Sequence, residues 1–168
     1  NEIRSVFDID DSTYSGNLPI LITKNKSIEK LYHMGMMGVI YFRRDNSISS
    51  MGRAYDTLMP RYWQTVTFIW DYYLSGMVHS LLDPLVMKKY LNTWMKMDVH
   101  TCFGTEYISG KPVGPWYAIN DHAMVMMIKE YLDWSGDFTW LNSKPDGKQT
   151  VLYFLESYSM QYKKFLTR

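Results

Sequence analysis

An all-α fold of two helical layers is what this sequence predicts, and three observations carry the prediction. Apolar residues recur at helical spacing in five stretches, the signature of helices that each bury one face or more. Two of the first three stretches carry almost no charge on any side, so they are expected inside, whereas others are amphipathic and expected outside. Turn and cap residues stand between the stretches, dividing them into consecutive helices.

Residues 1–26 are mixed in pattern. Asp10, Asp11, Ser12, Gly16, Asn17 and Pro19 are turn signals before the short apolar run 18–22, so an irregular leading segment is expected. Ser27 is a candidate N-cap for the first helix, in which Ile28, Leu31, Tyr32, Gly35, Val39 and Phe42 recur until Arg43, Arg44 and Asp45 end the run. Residues 34–42 carry no charge, which predicts a helix surrounded by protein, with Gly35 and Gly38 read as points of close helix packing. Residues 45–64 read as a loop, rich in Ser, Asn and Gly and containing Pro60.

A second buried helix is predicted over residues 67–82, apolar except for Asp71 and His79. Asp83 as N-cap and Pro84 at the first helical position open a third. There Leu85, Val86, Leu91, Trp94 and Met95 oppose Lys88, Lys89, Asn92 and Lys96, the pattern of a surface helix. Residues 98–119 form a long aromatic loop, and loops longer than about 12 to 15 residues in compact domains are usually functional or disordered. Asn120 or Asp121 caps a fourth, buried helix to about Trp134, which Gly136 stops. A fifth, over residues 148–166, sets Leu152, Leu155, Tyr158, Tyr162 and Phe165 against Glu156, Gln161, Lys163 and Lys164. The last four helices form two antiparallel pairs of inner and outer members, a two-layered toroid or solenoid, and no fixed sequence period accompanies it.

Composition narrows the function. Eighteen Lys and Arg nearly cancel seventeen Asp and Glu across 168 residues. The net charge of +1 offers little attraction to a phosphate backbone or an anionic lipid surface, so neither nucleic acid nor membrane is expected as a partner. Apolar stretches are interrupted by Asp71, His79 or glycines before they reach the roughly 20 residues of a membrane span. Cys102 is the one cysteine, so no intrachain disulfide forms and the compartment stays open. The first residue is Asn1 rather than Met, with no basic and apolar leader, and a piece of a longer polypeptide is expected in preference to a processed product. Aromatics reach 16%, including 6 Trp and 14 Tyr, faces suited to sugar rings as well as to cores.

Two constellations are suited to chemistry. The first is Arg61-Tyr62-Trp63-Gln64-Thr65-Val66-Thr67-Phe68-Ile69-Trp70-Asp71, which places a carboxylate early in a buried helix. An unpaired charge there costs several kcal/mol, so Asp71 is either a capping or salt-bridged group, with Arg61 or a backbone amide, or a carboxylate accepting hydrogen bonds from sugar hydroxyls between walls of Trp63 and Trp70. The second is Gly114-Pro115-Trp116-Tyr117-Ala118-Ile119-Asn120-Asp121-His122, an aromatic loop running into a helix start, where unpaired amides favour polar ligands. For Asn120 and Asp121, N-capping ranks ahead of ligand contact. For Glu106, a solvated surface charge ranks ahead of a catalytic carboxylate.

His33, His79, His100 and His122 share no metal-ligand spacing, and neither a metal nor a cofactor is expected. Cys102 and His100 lie too close in sequence for a nucleophile and its base. Met34, Met36, Met37, Met124, Met126 and Met127 read as core filler.

The run Phe68-Ile69-Trp70-Asp71, then Leu82-Asp83-Pro84, then Gly114-Pro115-Trp116 before Asn120-Asp121, and finally Tyr131-Leu132-Asp133-Trp134-Ser135-Gly136-Asp137-Phe138 resembles the six-hairpin glycosidases, the trehalase, processing glucosidase and amylo-glucosidase relatives. Leu18-Pro19-Ile20-Leu21-Ile22-Thr23 and Ile28-Glu29-Lys30-Leu31-Tyr32 resemble the approach to their first barrel helix. The resemblance implies an (α/α)6 barrel, with residues 27–168 as its N-terminal part and the remaining half, from the same or an associated polypeptide, as a partner. It further implies an inverting, exo-acting glycoside hydrolase with a sugar funnel. Trp70 and Asp71 would line the subsite next to the cleaved bond, and the Trp116 loop would add a wall. The substrate-binding candidates are then Trp63, Trp70, Asp71, Trp116, Tyr117, Asn120 and Asp121. Asp71, Glu106 and Asp121 are the catalytic candidates within the chain, but none sits in a general-acid motif, so the acid and base are expected beyond Arg168. A helical carbohydrate-binding or scaffold domain without catalysis, and a polysaccharide lyase, are the alternatives.

Overall fold

A computed structural model describes residues 14–56 and 66–165, with side chains to residue 161. In chain order the elements are α1 (Lys26–Tyr41), β1 (Arg43–Asp45), β2 (Arg53–Tyr55), β3 (Val66–Phe68), α2 (Ile69–Leu74), α3 (Gly76–Leu82), α4 (Pro84–Lys96), β4 (Gly104–Glu106), β5 (Pro112–Val113), α5 (Asn120–Ser135), a 3-10 helix (Phe138–Asn142) and α6 (Val151–Phe165).

The fold is mixed α/β, which overturns the all-α toroid. Two small antiparallel sheets lie among the described residues, one of order β1-β2 and one of order β3-β4-β5. In the first, Arg43 pairs with Tyr55 and Asp45 with Arg53. In the second, Phe68 pairs with Gly104 and Gly104 in turn with Val113. Each strand is two or three residues long, shorter than the four to eight residues over which alternation becomes visible. Partners brought together by the fold, rather than local pattern, create these strands.

Helix α5 is the central member, packed against α2, α3, α4 and α6. Met124, Met127 and Ile128 from α5 join Ile69 and Tyr72 of α2, Met87, Tyr90, Leu91 and Trp94 of α4, and Val151 and Tyr158 of α6 in one apolar core. Gly136 closes α5 in the left-handed conformation, φ 69°, as expected for a residue without a Cβ. The expected single helix over residues 67–82 is divided: 66–68 is strand, and α2 and α3 meet at Ser75.

Helix α4 is amphipathic, with Val86, Met87, Tyr90, Leu91, Trp94 and Met95 buried. Leu85, expected on its apolar side, is exposed, as is Leu152 on α6. Helix α1 departs further. Asn25, not Ser27, caps it, accepting from the amides of Ser27 and Ile28. Met36 is its buried residue, while Leu31, Met34, Met37 and Tyr41 are exposed and a Cβ on Gly35 or Gly38 would meet open space. The expected burial of this helix and the close packing at its glycines are therefore not found among the described residues.

Asp83 begins α4, yet its carboxylate makes no cap bond. Buried, it accepts from the Ser15 amide and hydroxyl, from the Tyr55 hydroxyl at 3.0 Å and from Arg53 at 3.2 Å. One carboxylate thus joins residue 15, β2 and the α3–α4 junction. Its four donors offset the desolvation that burial imposes.

Candidate functional site

Strand β3 runs directly into α2, so the segment 68–73 turns from extended to helical with Trp70 and Asp71 in the first turn. Pairing of β3 with β4 brings Phe103 onto Phe68, rings parallel to within 7° at a centroid distance of 4.4 Å. Tyr117 from the 114–119 loop extends this stack, 5.3 Å from Phe103 and 6.5 Å from Phe68. Beyond Asp71, Tyr73 meets His122 of α5 edge-on at 5.4 Å. Contacts three residues before Asp71 and two after it therefore both reach the 117–122 segment, so the two constellations separated by some fifty positions share one end of the helical layer.

Gly114 permits this packing. Its φ is +72°, and a Cβ there would lie 1.7 Å from the Phe103 ring. No other residue type combines that backbone with that approach.

Asp71 is half-buried and makes no hydrogen bond or ion pair with the described residues, and burial raises its carboxyl above the usual carboxylate range. The indole N–H of Trp70 is buried without an acceptor among them. The capping or salt-bridged role considered for Asp71 has no partner there. Arg61 and Trp63 lie outside the described residues.

Helix α5 begins differently from expectation. Ile119 is its N-cap residue, and Asn120 and Asp121 occupy the first turn. The completely buried Asn120 donates through Nδ2 to the carbonyls of Val99 and Cys102, both at 2.8 Å, leaving Oδ1 without a described partner. Asp121, also buried, takes Nε2 of His100 at 2.8 Å, and the Nδ1 of the same ring meets Asp98 at 2.8 Å. The imidazole bridges two carboxylates and ties the 98–102 turn to α5. Trp116 lies beside it, with ring centroids 6.1 Å apart. Neither Asn120 nor Asp121 is an N-cap, because their side chains hold this turn instead.

Glu106 ends β4 with its carboxylate on the amides of Ile108 and Ser109 and the Ser109 hydroxyl, at 2.7 to 2.8 Å. Burial pushes its carboxyl up, but these hydrogen bonds together outweigh that and hold it below the usual carboxylate range. It organises the β4–β5 turn. Cys102 is buried and free, with its thiol pushed up by burial, the state of an inert cysteine.

No family model matches this chain, and comparison with curated proteins and with solved structures likewise finds no match.

Trp70, Asp71, Trp116, Tyr117, Asn120 and Asp121 are the site residues legible in the sequence; His100 and His122 are weighed there as metal ligands, and His100 also as a base for Cys102, while Phe103 and Tyr73 carry no site role. The Asp98-Val99-His100 spacing was a usable signal for the bridge, since an acid two residues from a histidine reaches both its amide and its ring. Nothing local announces the partnership of His100 with Asp121, twenty-one residues away.

Buried outside this region is a further carboxylate, Asp56, whose proton affinity desolvation pushes up to about 6 against the opposing pull of Arg44, 3.2 Å away.

Proposed function

We propose that this chain forms the sugar-holding part of a glycoside hydrolase, with Asp71 accepting hydrogen bonds from sugar hydroxyls and Trp70, Trp116 and Tyr117 as apolar walls. The observation that carries this reading is the half-buried Asp71 carboxylate, unpartnered among the described residues, with the indole N–H of the preceding residue, Trp70, likewise without an acceptor among them. The protein bears the desolvation of both groups, and a polyol, donor and acceptor at once, offsets it. Sugar faces pack on aromatic rings of the kind gathered around Phe68, Phe103 and Tyr117. The resemblance to trehalase and processing glucosidase relatives supports the same pair, Trp70 and Asp71, for the subsite next to the cleaved bond.

In this reading hydrolysis is inverting and exo-acting, and needs an acid and a base about 6.5 to 9.5 Å apart. Glu106 and Asp121 are engaged with a turn and with His100, so the proposal assigns both roles to the remainder of the polypeptide. The uncovered apolar side of α1, with Leu31, Met34 and Tyr41, is a surface on which such a remainder packs. The same engagement of Glu106 and Asp121 favours a second reading, a carbohydrate-binding module without catalysis.

Isothermal titration and reducing-sugar release with α-glucosides, mannosides and rhamnosides test both, using the full-length polypeptide and its Asp71→Asn variant. Cleavage that collapses in the variant supports the hydrolase. Binding without cleavage, lost in the variant, supports the module. A folded protein that neither binds nor cleaves sinks both.

A further inference from the structure

Helix α4 turns its polar side toward a cleft of about 480 Å³, closed on the other side by the turn at Ser50 and the tip of the β4–β5 hairpin at Ser109 and Gly110. None of its lining residues overlaps the aromatic end at Asp71. Lys88, Lys89 and Lys96 line it and no carboxylate among the described residues does, in a chain whose overall charge is only +1. Lys88 is neutralised from outside the cleft by Asp137 at 2.6 Å, and Glu106 is held behind the hairpin tip by its own turn. Lys89 donates to the Met51 carbonyl, a neutral acceptor, and Lys96 has no ion pair among the described residues. Among the described residues two cations therefore stand uncompensated, seven residues apart on one helix, a rise of roughly 10 Å. Between them Asn92 has spent its Oδ1 on the Trp140 indole, which leaves its amide hydrogens as donors.

We propose that this cleft binds a sugar-sized molecule carrying oxyanion groups, seated against Lys89 and Lys96 with its hydroxyls toward Asn92 and Ser50. Two lysines facing an open cleft without a counter-ion among the described residues favour anions by Coulomb attraction, and the volume lies within the range of small-ligand sites, about 300 to 1,000 Å³. Desolvation also lowers the Lys89 ammonium from its usual value, a penalty that a neighbouring oxyanion relieves. The site is independent of the glycosidase reading.

Titration of the full chain with glucose 6-phosphate, digalacturonate and maltose tests the proposal, with Lys96→Gln and the double variant Lys89→Gln/Lys96→Gln alongside. At least one of the two anions is expected to bind and maltose not to bind in this cleft, with affinity falling as salt is added. Preference for the phosphate or for the carboxylate identifies the source of the oxyanion. Lys96→Gln, an exposed change away from any described bond, is expected to weaken binding about fivefold or more with unfolding unaltered, and the double variant to abolish it. Failure of both anions to bind the folded wild type at millimolar concentration overturns the proposal, and so does binding that Lys96→Gln leaves unchanged. Because neither substitution touches Asp71, loss of anion binding with neutral-sugar binding intact separates this site from the aromatic end.

Discussion

His100 and Asp121 face one another at 2.8 Å, joining a turn to the first turn of α5 twenty-one residues later. Replacing His100 with Ala leaves Asp121, only 8% exposed, without its side-chain partner. An orphaned buried acceptor costs about 1 to 3 kcal/mol, more when charged. Urea unfolding of His100→Ala is expected to show a loss in that range, and the freed 98–102 turn to exchange its amide hydrogens faster.

Gly114→Ala tests the aromatic stack. The new methyl group would occupy the position of the Phe103 ring at a backbone φ of +72°. Strain and displaced packing together are expected to cost about 2 to 4 kcal/mol, read as a lowered Tm. On the glycosidase reading, sugar binding weakens as well, because Tyr117 loses the ring it rests on.

Asp83→Ala removes the shared acceptor of Ser15, Arg53 and Tyr55. Breaking a buried charge pair by deleting one member costs about 3 to 5 kcal/mol. This variant is expected to be the least stable of the set in denaturant unfolding, and limited proteolysis is expected to cut near residue 15 first.

The imidazole of His79 lies flat against Tyr72, centroids 3.8 Å apart and planes within 3°, and is almost fully buried. Desolvation lowers its proton affinity from 6.5 to about 3. Between those values the unfolded chain binds the proton and the folded one does not, so stability is full above pH 6.5 and falls as pH drops toward 3, by roughly 1.4 kcal/mol per unit. Thermal unfolding of His79→Phe across pH 4 to 8 is expected to lose much of the wild-type decline below pH 6.5. An unchanged acid slope contradicts this assignment.

Asp56 acts in the opposite sense. Its proton affinity is raised from 3.8 to about 6, so the folded protein holds the proton that the unfolded chain releases, and stability falls as pH rises through that window. Asp56→Asn keeps the shape without the charge. It is expected to flatten the pH 4 to 6 region and to be more stable than wild type at pH 8 by on the order of 1 kcal/mol, after the loss of the Arg44 contact. Melting curves at pH 4 and pH 8 provide the check.

By itself the sequence determined the helices α4, α5 and α6, because one apolar face repeated every three or four residues survives in any packing that buries it. Pro84 and Gly136 set two of their boundaries through backbone geometry that is local to each residue. The residue types around Asp71 and Trp116 were equally legible, since aromatic rings beside a carboxylate are a chemical pattern independent of fold. Tertiary structure alone decided the rest. Strands of two or three residues exist only where a partner such as Gly104 arrives opposite Phe68, and the carboxylates of Asp83 and Asp121 abandon local caps for donors from distant segments. A short polar side chain bonds whatever donor the fold brings nearest, and sequence distance carries no information about that encounter.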